Sequence, residues 1–302
     1  MKLVRTIFPS ILLVLLLSAA SLPAQDVPKD YQEVLTILGR SGDYKANVLK
    51  VNVPRSDLHV TISGVAAPTP FGFGGWVALT KSDDGNDVMM GDLVLLQEEV
   101  NPVMSALLEN GLEVTALHNH FFWEEPRIFF MHVHGHGKAL DLAKRLKPAL
   151  DLIPRPSAAT PQATPPAGPA FHIVALDNIV GSKGEALGSV YKFTLGRDDL
   201  NLKEHGAPIN ARMGLNTWAA FAGNDADAQI AGDIAMRETE VTPVLKALRA
   251  HKLNVVAIHH HMLGTQPTVI FLHYWGHGSA EELALGFRAA LDQLGTAKSQ
   301  GK

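Results

Sequence analysis

The chain carries the same domain twice, and that limits its fold more than any single motif. Residues 91–137 align without a gap on residues 232–278 at a constant offset of 141, and 19 of the 47 pairs are identical. The shared positions include Glu99/Glu240, Pro102/Pro243, His118/His259, His120/His261, Pro126/Pro267, His132/His273 and His136/His277. Upstream the offset becomes 142, and the match continues through Gly39/Gly181, Arg55/Arg197, Leu58/Leu200, Gly72/Gly214 and Trp76/Trp218. The repeats therefore span about 34–153 and 176–295. Units of this size are domains, so the chain reads as a tandem duplication and not as a solenoid of short repeats.

The flanks follow from local composition. Residues 1–24 have the form of a secretory signal: Lys2 and Arg5, an apolar run over 11–20, and Leu22-Pro23-Ala24 as a small-residue cleavage site, with a cut after Ala20 as the alternative. The apolar run is shorter than the roughly 20 residues that span a bilayer. The mature chain is expected to be periplasmic or secreted, with no membrane anchor after cleavage. Residues 154–170 hold six prolines in 17 residues and read as a linker in polyproline II. At about 3.1 Å per residue it reaches roughly 50 Å, enough for separate lobes or for one lobe swinging onto the other. The expected domains are thus a signal at 1–24, a first repeat at 25–153, the linker, a second repeat at 171–296 and a tail at 297–302.

Composition removes several chemistries. There is no cysteine, which excludes disulfides, thiolate zinc sites, iron–sulfur clusters, cysteine nucleophiles and a lipidated N-terminal cysteine. Lys and Arg total 26 against 30 acidic residues, so no basic excess points to nucleic acid. Gly72-Phe73-Gly74-Gly75 has no lysine or helix after it to form a phosphate loop, and no Gly-x-Ser-x-Gly marks a hydrolase serine.

Within the first repeat, 48–53, 58–63, 75–79 and 88–96 read as strands, and 98–109 as a helix with Val100, Val103, Met104, Leu107 and Leu108 on one stripe. Segments 113–122 and 127–136 read as a hairpin, and 138–152 as an amphipathic closing helix. The fold class is α+β, two copies of a mostly antiparallel sheet with a βαββα core of ferredoxin-like kind.

Ten of the 14 histidines fall on the two hairpins. Strand side chains alternate faces, so His118 and His120 share a face, as do His132, His134 and His136, in any hairpin register of even sum, for example 118 opposite 132. The other face carries Leu117, Phe121, Phe129, Met131 and Val133. In the second repeat the equivalents are His259, His261, His273 and His277, with Trp275 in place of His134. His132 and His136 are roughly 13 Å apart if extended. The compact ligand set is His118, His120 and His132, with His136 as an outer member. Three neutral imidazoles suit zinc first, with copper, nickel or iron as alternatives, and leave a coordination position open. The competing explanation is a set of hydrogen-bonded or solvated strand histidines.

Other polar candidates are fewer. Glu99 and Glu240 sit in the first turn of their helix, where the dipole favours a carboxylate, and Asp92 and Asp233 read equally as turn caps. Glu124, Glu125 and Arg127 occur only in the first repeat. Glu99 and Glu124 are the candidate catalytic bases. Trp76, Trp218 and Trp275 read as core.

The segments HNHFFWEEPRIFFMH and HHHMLGTQPTVIFLHYW resemble the repeated motif of the LppY/LpqO family of secreted bacterial proteins. The resemblance implies export and a duplicated domain but no reaction. It maps onto His118, His120, Pro126, Arg127 and His132, and onto His259, His261, Pro267 and His273, with Thr268 where the motif has arginine. His118-x-His120-x₃-Glu124 also matches the spacing of a cupin metal motif, which would bring a β-barrel; the second repeat lacks that glutamate. The leading expectation is an exported protein that binds a transition metal through hairpin histidines and hydrolyses an envelope or extracellular substrate. The alternatives are a module that sequesters metal or binds a small-molecule, cell-wall or carbohydrate ligand, and a purely structural histidine network.

Overall fold

The computed structural model describes residues 26–155 and 168–295. Residues 1–25, with the expected signal, residues 156–167 of the linker, and residues 296–302, with the expected tail at 297–302, lie outside the described residues. No helix among the described residues is long and apolar enough to cross a membrane.

Each repeat folds as an α+β domain around one six-stranded antiparallel sheet. In the first, the spatial order is Gly42–Lys45, Val48–Pro54, Gly74–Lys81, Asp87–Leu96, Ile128–Gly137, Glu113–His118. In the second it is Glu185–Leu187, Val190–Gly196, Asn216–Gly223, Ala228–Arg237, Val269–Gly278, Asn254–His259. The βαββα unit is Asp87–Leu96, helix Gln97–Glu109, Glu113–His118, Ile128–Gly137 and helix Ala139–Asp151. Its last strand lies between the other two, as in a split βαβ. A ferredoxin-like order would add a strand after the closing helix; here Gly74–Lys81, from ahead of the unit, fills that place. The sheet is open and helix-backed, so the cupin barrel is ruled out. Opening helices at Lys29–Leu38 and Ile173–Val180 were not anticipated, and the strand expected at 113–122 stops at His118.

Strand alternation divides each sheet into two faces with different tasks. Leu49, Val51, Val77, Leu79, Met131 and Val133 point to the helices and form one core with Val103, Leu107, Leu142 and Leu146. Residues of opposite parity point toward the other repeat. The two sheets therefore pack through their helix-free faces, with helices outside.

A reciprocal pair of arms locks the lobes together. Val60, Ile62, Phe71 and Phe73 of the first repeat pack on Val190, Ala220, Ala222, Ala231 and Trp275 of the second. Leu200, Leu202, Met213 and Leu215 of the second pack on Val48, Ala78, Val88 and Met90 of the first. Each large side chain buried this way contributes about 1.5–3 kcal/mol, so four per arm contribute on the order of 6–12 kcal/mol. That outweighs the freedom a long linker offers; the lobes form one body and do not swing apart. The Thr115 hydroxyl also donates to the His261 carbonyl at 2.8 Å.

Candidate metal centre

The hairpin register sets the site. His132 lies opposite Ala116, and His118 opposite Phe130, an even-sum pairing two residues away from the illustrated one. His118 and His132 thus share the face turned to the other lobe. His120, past the strand's end, lies flat on Phe130, as His261 lies on Phe271.

Both hairpins bring their histidines to the same place. His118, His120 and His132 meet His259, His261 and His273 around a pseudo-twofold axis, and almost every contact has a twin. His118 and His259 lie ring to ring at 3.9 Å on the axis. His120 meets His273 at 3.6 Å while His261 meets His132 at 4.1 Å. His118–His132 and His259–His273 are 5.0 and 4.8 Å apart by ring centres. The separate three-histidine site expected in each repeat is therefore corrected to one composite of six imidazoles.

Two of the donor trios at the centre cross the repeats, and a third lies within the second. His118, His120 and His273, then His118, His132 and His259, and also Asp233, His259 and His261, each have donors within 4.8 Å of one another. Zinc–nitrogen bonds of about 2.0–2.1 Å put two donors on one ion at most about 4.2 Å apart, so small side-chain rotations close these trios. Both ring nitrogens of His120, His259 and His261, and Nε2 of His273, are buried without a hydrogen-bond partner. Each such orphan costs about 1–3 kcal/mol, a debt that a hydrogen-bond network would have removed and a ligated ion removes. Burial, reinforced by His261, pushes His118 down to about 3, and burial does the same to His261. His120, His132, His259 and His273 are also held well below the usual histidine range by burial and by one another. All six are neutral at pH 7, the form that ligates a metal.

A cleft of about 790 Å³ opens beside the histidines, lined by His120, His261 and His273. Matched residues of the two sheets line it further: Lys50 and Lys192, Trp76 and Trp218, Asp92 and Asp233. The aspartates are mid-strand, not turn caps, and the two tryptophans face the cleft, while Trp275 is core. Burial, and the nearby Asp233 carboxylate, push Asp92 up to about 8; burial raises Asp233 well above the carboxylate range. Gly72 and Gly214 thread between the lobes at φ +139° and +92°; a Cβ on Gly214 would sit 3.0 Å from Trp76. Their identity in both repeats is what that close approach requires.

The remaining expected site residues lie elsewhere. His136 Nε2 pairs with Asp84 at 3.2 Å, and His277 Nε2 with Asp227 at 2.6 Å; neither reaches the six. Glu99 accepts from the Leu96 amide at 2.8 Å and from buried Arg55 at 2.6 Å. Glu240 repeats this with the Arg237 amide and Arg197. These carboxylates close a helix start and neutralise an arginine. Glu124 is buried beside Asn119 and Arg127, its acidity weakened by burial, and belongs to none of the donor trios. His134 meets Glu204 of the opposite arm at 3.0 Å, with His205 next to it. Lys50, Lys192 and the cleft role of Asp92 and Asp233 follow from no motif or spacing; their identity across the repeats is the one signal the sequence carries for them.

No curated protein matches this sequence. Two solved structures show a loose similarity. EtuB from Clostridium kluyveri is 9% identical over 84% of this chain and 89% of its own, at a TM-score of 0.22. A trimeric bacterial microcompartment shell protein, PduB, is 12% identical over 82% and 86%, at 0.20. Neither carries weight for fold or function. The sequence matches one family twice, over residues 32–152 and 174–293, the two halves that jointly build the histidine centre; the chain belongs to that family, described as a Domain of Unknown Function (DUF1259).

Proposed function

We propose that this protein binds a divalent transition metal, zinc foremost with copper, nickel or iron as alternatives, in one centre shared by both repeats. The observation that carries the reading is the convergence of six imidazoles, of which His120, His259 and His261 have both ring nitrogens, and His273 its Nε2, buried without a hydrogen-bond partner. We place the protein outside the cytoplasm, as the leader and the LppY/LpqO resemblance suggest, where a small molecule from the envelope or the medium enters the cleft. A bound metal would supply Lewis acidity and an activated water, the chemistry of a hydrolase. In that case Asp92 and Asp233, which line the cleft, take over the proton-transfer role first assigned to Glu99 and Glu124. A second reading, a module that stores metal or holds a cell-wall or carbohydrate ligand without turnover, draws support from Trp76 and Trp218 in the cleft wall.

Elemental analysis of residues 25–302, purified without a His-tag or chelator, tests the proposal. Near-stoichiometric metal is expected, and its complete loss, not half of it, in His118→Ala/His120→Ala. A protein that is metal-free and cannot be loaded with added zinc, copper, nickel or iron overturns it.

A further inference from the structure

The cleft beside the histidines is electrostatically unfinished. Lys50 and Lys192 occupy matching positions on Val48–Pro54 and Val190–Gly196, and both line it. Each ammonium lies over a tryptophan of its own sheet, Lys50 at 4.5 Å from the Trp76 ring and Lys192 at 4.3 Å from Trp218. Neither has a carboxylate in ion-pair range among the described residues, whereas Lys81 has two, Asp30 and Asp87, both at 2.9 Å. Burial pushes each lysine down to about 8, and Lys50 also feels the like charge of Lys192. The lining also holds Glu185, Asp92, Asp233 and Arg212; Arg212 is paired with Asp43 at 2.9 Å, and none of the three carboxylates lies within ion-pair range of either lysine.

Two like charges in a half-closed cavity are unfavourable unless something of opposite sign joins them. Stacking on indole holds the ammonium groups in place but brings no negative charge. Matched burial of the same cation in both repeats is therefore the signature of a ligand that supplies the charge.

We infer that the cleft binds a small oxyanion, a carboxylate or phosphate group, between Lys50 and Lys192, with the rest of the molecule directed at the histidine cluster. A cavity of about 790 Å³ suits a metabolite-sized compound and excludes a folded polymer. The inference gives the proposed function its substrate class, yet the anion contacts rest on the lysines and are measurable without the metal.

The test is a tryptophan-fluorescence titration of residues 25–302 with inorganic phosphate and, separately, succinate at constant ionic strength. Metal-loaded and metal-free protein are titrated in parallel, with metal content measured on every sample. Saturable binding is expected, weakened at least about tenfold in Lys50→Gln/Lys192→Gln with unchanged metal content, as loss of charge-assisted hydrogen bonds requires. Saturation by phosphate alone identifies a phosphate ester, and by succinate alone a carboxylate. If the double variant does not fold, the single variants decide: Lys50→Arg keeps binding and Lys50→Gln weakens it. No saturation by either anion, or equal titration of variant and parent, overturns the inference while a normal metal content leaves the centre standing. Anion binding by a protein that never takes up metal does the reverse.

Discussion

The centre and the rims of the two hairpins are built from the same run of sequence, and they behave differently. At the centre, positions 118/259, 120/261 and 132/273 are identical in both repeats and touch across the pseudo-twofold axis. Two and four residues further along the same strands, the halves part company. His134 meets Glu204 on the first rim; its counterpart Trp275 is packed against Gln229 and Trp123 on the second. His136 and His277 are again identical, and each pairs with a nearby aspartate of its own repeat, while His136 also stacks on His205 of the opposite arm at 4.3 Å. Identity between repeats therefore marks a shared site only where the symmetry axis brings the two copies together. Away from the axis it marks two copies of a local contact.

Acid stability separates the two regions most strongly. The six central histidines are neutral in the fold and protonate near 6.5 once unfolded, so the unfolded state binds more protons and stability falls as pH drops below about 6.5. Asp92 and Asp233 act oppositely: raised in the fold, Asp92 to about 8, they bind protons there first and add stability as pH falls toward 3.8. Six histidines against two aspartates leave the histidine effect the larger, so metal-free protein should lose stability between about pH 6 and 4, each uncompensated proton contributing about 1.4 kcal/mol per pH unit. Urea midpoints across that range should show this slope. Replacing His132 with Asn should remove one proton's share, and His136→Ala/His277→Ala none. An unchanged slope in the His132 variant would mean the centre is solvated and the distinction false.

Symmetry that is purely structural should show the next largest effect. Arg55–Glu99 and Arg197–Glu240 match as closely as the histidines do, with Arg55 fully buried and bonded to Asp57 and the Val94 carbonyl as well. Removing one partner of a buried pair costs about 3–5 kcal/mol. Glu99→Gln should lower the melting temperature accordingly and leave bound metal unchanged. Metal loss in a folded Glu99→Gln protein would return that carboxylate to the site.

How much of this was legible beforehand depended on the range of the interaction. The duplication, the helix stripes through Val103 and Leu107 and the shared face of His132 and His134 are set by local periodicity, and sequence displays it directly. The distance argument that left His136 outside a compact set likewise needed only strand rise. Face-to-face packing of the sheets depends instead on arms that alternate as ordinary apolar strands, such as Val60 and Ile62. Nothing local says which sheet they cover. For the same reason the pairing of His120 with His273, between residues 153 apart, was hidden, and with it Lys50 and Lys192, which become informative only when they line one cleft.

Metal affinity then asks whether the centre is one site or two. His118→Ala alone and His259→Ala alone should each lower affinity at least about 100-fold, since losing even an outer-shell partner costs 10–100-fold. Competition with a chromophoric chelator measures it. If each single variant keeps half of the metal at full affinity, the composite centre divides into two repeat-specific sites. His136→Ala/His277→Ala should match the parent.

The smallest effects belong to the rims, and their order discriminates between them. His134→Ala leaves the buried Glu204 carboxylate without its 3.0 Å partner, which costs about 1–3 kcal/mol. His277→Ala removes a pair exposed on both sides, His277 at 45% and Asp227 at 76% of the side chain, and should cost no more than about 1 kcal/mol. A cycle of His134→Ala with Glu204→Gln in urea denaturation isolates the coupling between hairpin and arm. A coupling well above that of His277 with Asp227, at constant metal content, makes the first rim a latch that closes one lobe on the other. A drop in bound metal in His134→Ala would instead extend the centre out to the rim and end the contrast, because Glu204 and His205, which correspond to Ile62 and Ser63, give the second rim no ligands with which to follow.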